Sequence, residues 1–94
     1  MPDTFASREV VVVNDKGFHI RPGHLLMKLA MGFQSDVKIL KDNQVVDGKS
    51  MMDLLTLVAQ KGTTLTLQAR GADAQAAVDA LAQLVENGFG DMAE

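Results

Sequence analysis

The sequence predicts an α+β fold, an open-faced sandwich in which three helices cover one face of a four-stranded antiparallel sheet. Three observations support this. The chain has 94 residues, enough for one core and no second one. Its apolar residues follow strand and helix spacing in the order βαββαβα. Two of the strands alternate polar with apolar residues, as antiparallel strands with one solvated face do.

The first half of the chain predicts a strand, a turn and a helix. Residues 8–13 read as a strand, and their four consecutive β-branched valines indicate burial on both faces or a central position in the sheet. Residues 14–17 form a turn, and a helix follows over residues 20–31. Its apolar residues share one face at helical spacing: Leu25, Leu26, Leu29, Ala30 and Phe33. Gly32 suits the left-handed position after the helix.

A hairpin and a short helix come next. Residues 36–41 and 44–47 read as strands, joined by Asp42-Asn43, two residues that tolerate positive φ angles. A short apolar helix runs from Met51 to about Val58, and Lys61-Gly62 ends this segment.

The last part of the chain predicts a strand and a helix. Residues 63–69 alternate, so that Leu65, Leu67 and Ala69 share one face. Asp73 is the predicted N-cap of a helix that ends near Asn87-Gly88. We therefore expect one domain over residues 8–90, with a flexible N-terminal lead-in over residues 1–7 and a C-terminal tail over residues 91–94.

Composition excludes several classes of function. The net charge is -3, nine basic and twelve acidic residues are mixed along the chain, and there are only four aromatic residues, so nucleic acid is not an expected partner. The absence of cysteine excludes disulfides, a thiol nucleophile and a cysteine zinc site. Residues 1–7 lack a signal-peptide pattern, and no apolar run reaches membrane-spanning length. We expect a cytoplasmic protein without membrane insertion.

Residues 17–23 contain the chemistry-bearing segment, Gly17-Phe18-His19-Ile20-Arg21-Pro22-Gly23. His19 falls at or next to the N-cap of the first helix, and a neutral imidazole is a competent nucleophile near neutral pH. Pro22 lies in the first turn, where a missing N–H costs nothing. A histidine before a helix can also be a plain cap or surface residue, and this segment by itself does not decide between these functions.

The same segment predicts a phosphate site. The amides of Ile20, Arg21 and Gly23 are expected to point beyond the helix start, where the positive end of the helix dipole favours an anion. The guanidinium of Arg21 adds donors suited to phosphate oxygens. A phosphate bonded to His19 would therefore be stabilised without a metal ion.

The motif Gly17-x-His19-x-Arg21-Pro22 resembles the active-site signature of HPr, the histidine-containing phosphocarrier family of the bacterial phosphoenolpyruvate-dependent sugar phosphotransferase system. The similarity covers essentially the whole chain after Ser7, including residues 49–52, 60–63 and 71–74. It implies that Enzyme I, which draws on phosphoenolpyruvate, phosphorylates His19 at Nδ1. It further implies that the phosphoryl group passes to an EIIA-type acceptor, with no cofactor.

Three residues depart from the family pattern. Ile20 stands where a small residue is usual, and its side chain either crowds the approaching partner or changes which partner fits. Phe18 replaces a common aliphatic residue, and His24 stands where a small residue or methionine is usual. His19 and His24 do not suggest a metal site, because a spacing of five does not place two helical side chains on one face.

Ser50 is a second candidate site. With Asp53 three residues on, it predicts a Ser-x-x-Asp cap of the second helix, similar to a capping box. In many bacteria the matching serine of the family that the chain resembles is phosphorylated by HPr kinase/phosphorylase, which slows transfer through the histidine. A phosphate there would add negative charge to a docking face. The family's serine motif usually ends in a small or acidic residue, where this chain has Val58.

The sequence also predicts a docking surface beside His19. Methionine suits a surface that fits several partners in turn, and the resemblance implies docking through the first two helices. The predicted apolar patch is formed by Phe18, Met51, Met52 and Leu55. The predicted rim consists of His24, Lys28 and Lys49.

Two alternatives stay open. One is a regulatory HPr paralogue that acts mainly through Ser50 and partner docking. The other is a plain α/β interaction domain in which His19 is only a helix cap. The leading hypothesis is a monomeric phosphocarrier with a covalent phosphohistidine that turns over no small molecule alone.

Overall fold

The computed structural model describes residues 4–90. Its helices and strands follow the predicted order: β1 (Phe5–Val11), α1 (Ile20–Met31), β2 (Asp36–Lys41), β3 (Gln44–Asp47), α2 (Met51–Leu54), β4 (Thr64–Arg70) and α3 (Ala74–Glu86). The four strands form one sheet in the order β1-β4-β2-β3, and every neighbouring pair is antiparallel. The predicted fold class, an open-faced sandwich, is confirmed.

The core lies between the sheet and the helices. Alternation puts Leu65, Leu67 and Ala69 of β4 on the buried face. The alternate residues Thr64, Thr66 and Gln68 stay partly or fully exposed. From the helix side, α3 packs on β1 and β4 with Val78, Leu81 and Val85 fully buried. The predicted one-sided burial of β4 is therefore confirmed.

The valine run is neither buried on both faces nor central in the sheet, so this prediction is wrong. β1 is an edge strand, paired with β4. Val10 and Val12 are buried, whereas Val11 and Val13 are each 44% exposed. The run keeps its alternation because α3 covers only one face of the sheet at this edge.

The strand also begins earlier than the predicted domain boundary at Arg8. Residues 5–7 pair with residues 70–68 of β4 and so belong to the sheet rather than to a lead-in. The predicted tail over residues 91–94 lies outside the described residues.

Helix α1 has its predicted bounds, but its end differs. Leu26 and Ala30 are fully buried, as the helical spacing predicts. Gly32 has φ -77° and is right-handed, so the predicted left-handed conformation is wrong. Its N–H donates to the Leu29 carbonyl at 3.1 Å, which ends the helix in a tighter turn.

Helix α2 is shorter than predicted, since it ends at Leu54 rather than near Val58. The amides of Thr56 and Leu57 donate three residues back, to Asp53 and Leu54, at 3.0 and 3.1 Å. The Thr56 hydroxyl also donates to the Asp53 carbonyl at 2.6 Å. A side chain that binds a helical carbonyl competes with the regular ladder, and this accounts for the early end.

Asp73 occupies the predicted N-cap of α3, but its side chain does not cap that helix. Its carboxylate instead accepts hydrogen bonds from the Gln34 and Ser35 amides, at 2.8 and 2.9 Å, and from the Ser35 hydroxyl. The Ser35 hydroxyl, followed by the Gln34 amide, lowers the pKa of Asp73. This group ties the α1–β2 loop to the start of α3. At its other end, α3 stops at Asn87 and Gly88 as predicted, with Gly88 at φ 66°.

Candidate active site at the start of α1

His19 is the N-cap residue of α1, as the sequence predicts. Its backbone is extended, with φ -144° and ψ -165°, and its side chain makes no capping hydrogen bond to the helix. The residue is exposed. The interpretation of His19 as only a helix cap therefore lacks the hydrogen bond that it requires.

A tight turn carries the chain into His19. The Gly17 amide donates to the Asn14 carbonyl at 3.1 Å, and Gly17 has φ +72°. A Cβ on Gly17 would lie 2.6 Å from the carbonyl oxygen of Ala59. That same oxygen accepts the Phe18 amide at 2.7 Å. Glycine is required at position 17 because both the φ angle and the close backbone leave no room for a side chain.

The start of α1 presents fewer amides than predicted. The Gly23 amide donates to the His19 carbonyl at 2.8 Å, which is the first hydrogen bond of the helix, so its assignment as a phosphate-binding donor is wrong. Ile20 is the first helical residue, where an amide has no intrahelical acceptor. A shallow depression beside the helix start is lined by Ile20, Arg21, His24 and Leu25. The phosphate-binding roles of the Ile20 and Arg21 amides stay predictions.

Phe18 does not belong to a docking surface. It is 8% exposed, and its ring centroid lies 6.1 Å from that of Phe89 in the core. Its Cζ lies 3.3 Å from the position that a Cβ on Gly23 would take. The prediction of an exposed Phe18 is wrong because the chain turns it inward, against residues that are distant in sequence.

The other members of the predicted apolar patch divide into two groups. Met51 is half-buried against the core, and its Cε lies 3.9 Å from the same Cβ position on Gly23, so the first turns of α1 and α2 are close. Met52 and Leu55 are 81% and 55% exposed. We call these two side chains the α2 patch. Ile20, which the sequence marks as a departure and not as part of the patch, is 66% exposed.

The predicted basic rim is changed at one position. The Lys49 ammonium donates to the Phe33 carbonyl at 2.7 Å and is partly buried, so it stabilises the chain beyond the C-terminal end of α1. This bond draws its charge away from the His19 end of that helix, and the rim assignment of Lys49 is wrong. His24 and Lys28 are exposed on α1.

Ser50 is the N-cap of α2, and its Oγ accepts a hydrogen bond from the Asp53 amide at 3.2 Å, which confirms the predicted cap. The reciprocal half of a capping box does not form. The Asp53 carboxylate accepts from the Asp47 amide at 3.0 Å, and the Ser50 amide donates to the Asp47 carbonyl at 3.1 Å. Ser50 is half-buried in this arrangement.

Within residues 4–90, no group of three or more histidine, cysteine or acidic side chains is placed to hold a metal ion. Over the same residues, no helix is long and apolar enough to cross a membrane.

Comparison with known proteins gives consistent results. The family model described as the PTS HPr component phosphorylation site matches residues 6–87. The chain is 40% identical to the phosphocarrier protein HPr of Cupriavidus necator over 84 residues, which cover 89% of this chain and 94% of that protein. It is 34% identical over 92 residues to the multiphosphoryl transfer protein of Escherichia coli O157:H7, covering 95% of this chain and 24% of that protein.

Solved structures show the same fold. HPr-C-His from Thermoanaerobacter tengcongensis superposes with a TM-score of 0.87 at 34% identity, covering 92% of this chain and 97% of that one. The phosphocarrier protein HPr from Bacillus anthracis superposes with a TM-score of 0.82 at 33% identity, covering 87% of this chain and 98% of that one.

Proposed function

Because this chain belongs to the HPr family of phosphocarriers of the phosphotransferase system, we propose that His19 accepts a phosphoryl group and passes it to a partner protein. The observation that carries the proposal is the placement of His19. Its exposed imidazole stands at the N-cap of a twelve-residue helix and is not used to cap it. The N-terminus of a helix of this length stabilises an anion next to it.

The proposed transfer is a displacement at phosphorus. The Nδ1 atom of His19 attacks the phosphoryl group carried by Enzyme I, the P–N bond to His19 forms, and the bond to Enzyme I breaks. The new phosphoryl oxygens lie near the start of α1 and within reach of the exposed Arg21 side chain. In the second half-reaction an EIIA-type acceptor attacks the same phosphorus, and His19 leaves as a free imidazole. No cofactor takes part.

We propose that the partners dock on the surface around His19. The α2 patch offers two exposed apolar side chains, and Met51 joins the first turn of α2 to that of α1. Ile20, His24 and Lys28 extend this surface along α1. A flexible methionine side chain such as Met52 can adapt to more than one partner. The cytoplasmic location and the monomeric state stay predictions.

The test is phosphorylation of the purified protein. With phosphoenolpyruvate and a cognate Enzyme I, we expect an acid-labile, base-stable phosphate on the wild type and none on His19→Ala. His24→Ala is the matched control, because it removes the neighbouring exposed histidine of the same helix. It should still reach full labelling at the end point. Labelling of His19→Ala, or no labelling of the wild type, would refute the proposal.

The second candidate function is regulation through Ser50, favoured by its position as the N-cap residue of α2, directly before the exposed α2 patch. A phosphate on Ser50 would sit next to Met52 and place negative charge on the α2 patch. Incubation with ATP and HPr kinase/phosphorylase should label the wild type and not Ser50→Ala. If Ser50 is labelled while His19 takes up no phosphate from Enzyme I, the regulatory paralogue is the better description.

A further inference from the structure

Asn14 is a buried polar residue in the turn that leads into His19. It is 5% exposed. Its side-chain Nδ2 donates to the carbonyl of Gly17, and its backbone carbonyl accepts a hydrogen bond from the Gly17 amide at 3.1 Å. Asn14 thus bonds both the N–H and the C=O of Gly17, which lies two residues before His19.

The segment between Asn14 and His19 is held at further points. The Phe18 amide donates to the Ala59 carbonyl at 2.7 Å, and the Phe18 ring packs against Phe89. The Phe18 amide and the Gly17 carbonyl belong to the same planar peptide unit, so this unit is held at its N–H by Ala59 and at its C=O by Asn14. The Asn14 carboxamide binds the oxygen of that plane.

The other atom of the carboxamide has no partner. Asn14 Oδ1 is buried and accepts no hydrogen bond within the part of the chain that the structure describes. A buried acceptor without a donor costs free energy. Asn14 therefore carries an unfavourable buried oxygen, Oδ1, while its Nδ2 restrains the backbone segment that leads to His19. Unsatisfied groups of this kind concentrate where function outweighs stability.

From this geometry we infer that Asn14 is a positioning residue for His19. Its hydrogen bond to the Gly17 carbonyl orients the peptide unit between Gly17 and Phe18, and with it the backbone from which the His19 imidazole projects. The inference rests on the proposed phosphoryl transfer. Asn14 itself touches neither the phosphoryl group nor a partner. Its effect is on the geometry of attack, where a displacement of about 1 Å can lower a rate by about a hundredfold.

The experiment compares Asn14→Leu with Ser35→Ala. Leucine has a similar volume, removes the donor and also removes the unpartnered oxygen. Ser35 is the matched control, because it is 1% exposed and its hydroxyl bonds Asp73 in the loop at the opposite end of α1. Initial rates of phosphoryl uptake are measured at varied Enzyme I with saturating phosphoenolpyruvate, and thermal unfolding is recorded for each variant.

For Asn14→Leu we expect kcat to fall about ten- to a hundredfold while KM for Enzyme I stays unchanged, since the α2 patch is intact. For Ser35→Ala we expect a lower midpoint of unfolding with wild-type kcat. If Asn14→Leu does not fold, Asn14→Ser tests the same bond, because its side chain is too short to reach the Gly17 carbonyl. Wild-type kcat in a folded Asn14 variant would overturn the inference and leave the proposed function standing. An unlabelled wild type would instead refute the proposed function.

Discussion

Two glycines with positive φ angles allow the steric demand at Gly17 to be measured separately from its backbone conformation. Gly17 has φ +72° and Gly62 has φ +93°. In Gly62→Ala the new Cβ meets nothing within 4 Å, so the variant carries only the cost of the left-handed conformation, about 1 kcal/mol. In Gly17→Ala the Cβ would also lie 2.6 Å from the Ala59 oxygen and 3.0 Å from the Gln60 Cα.

Relief of that contact is costly because both neighbouring atoms belong to the backbone. A shift of Ala59 would lengthen its 2.7 Å bond to the Phe18 amide, and a weakened buried hydrogen bond costs about 1 kcal/mol. Overpacking adds a further cost of about 1 kcal/mol or more. We therefore expect Gly17→Ala to lose about 3 kcal/mol and Gly62→Ala about 1 kcal/mol.

Urea and thermal unfolding measure the difference. At about 4–8 °C per kcal/mol for a domain of this size, Gly17→Ala should melt roughly 8–16 °C below Gly62→Ala. The m-values of both variants should equal that of the wild type, so that the midpoints report stability. Equal losses in the two variants would refute the steric reasoning, because the conformational cost is common to both.

Four further predictions concern other parts of the molecule. Asp73 has a lowered pKa, so its stabilising effect is present above the unfolded value of about 3.9 and is lost as the pH falls through the lower folded value. Urea titrations between pH 2 and pH 7 should show that Asp73→Asn removes part of this loss, and an unchanged pH profile would contradict it. Gly23→Ala should cost about 1 kcal/mol in the wild type, where its Cβ meets the Phe18 ring, and should be neutral or stabilising together with Phe18→Leu. A double-mutant cycle with no coupling energy would exclude this contact. Ser50→Ala should lower the free energy of unfolding by about 1 kcal/mol through loss of the α2 cap. Unchanged unfolding in urea would contradict this prediction. Ile20→Ala should raise KM for Enzyme I at least about threefold, since it removes an exposed apolar contact; a lowered KM would show that Ile20 crowds the partner.

The sequence predicts elements well where the pattern is local. Strands β2 and β3 and helix α1 have their predicted bounds, because alternation, helical spacing and the hairpin residues all lie within the segment that they describe. Asp42 adopts φ 53° in the hairpin turn, as a residue that tolerates positive φ can. The position of His19 at the start of α1 follows from the same local signals, with Pro22 in the first turn.

Three of the wrong predictions, those on the valine run, Asp73 and Lys49, share a non-local cause. The valine run of β1 does not reveal that α3 covers only one face of an edge strand. Asp73 reads as a cap, and only the folded chain brings Ser35 within reach of its carboxylate. The sequence predicts Lys49 as an exposed charge, whereas in the fold its ammonium donates to the Phe33 carbonyl. In each case the partner is distant in sequence, so the local pattern carries no signal for it.

Phe18 and Gly23 show how two such residues act together. A large ring at position 18 needs space on the adjacent turn of α1, and a residue without a side chain at position 23 supplies it, since a Cβ there would lie only 3.3 Å from the ring. The ring then packs on Phe89 and stays 8% exposed. Among the residues that depart from the family pattern, Phe18 is therefore buried in the core, where a partner does not contact it. Ile20 is 66% exposed beside His19, so an approaching partner meets this departure directly. Differences in partner choice should depend on position 20 and not on position 18.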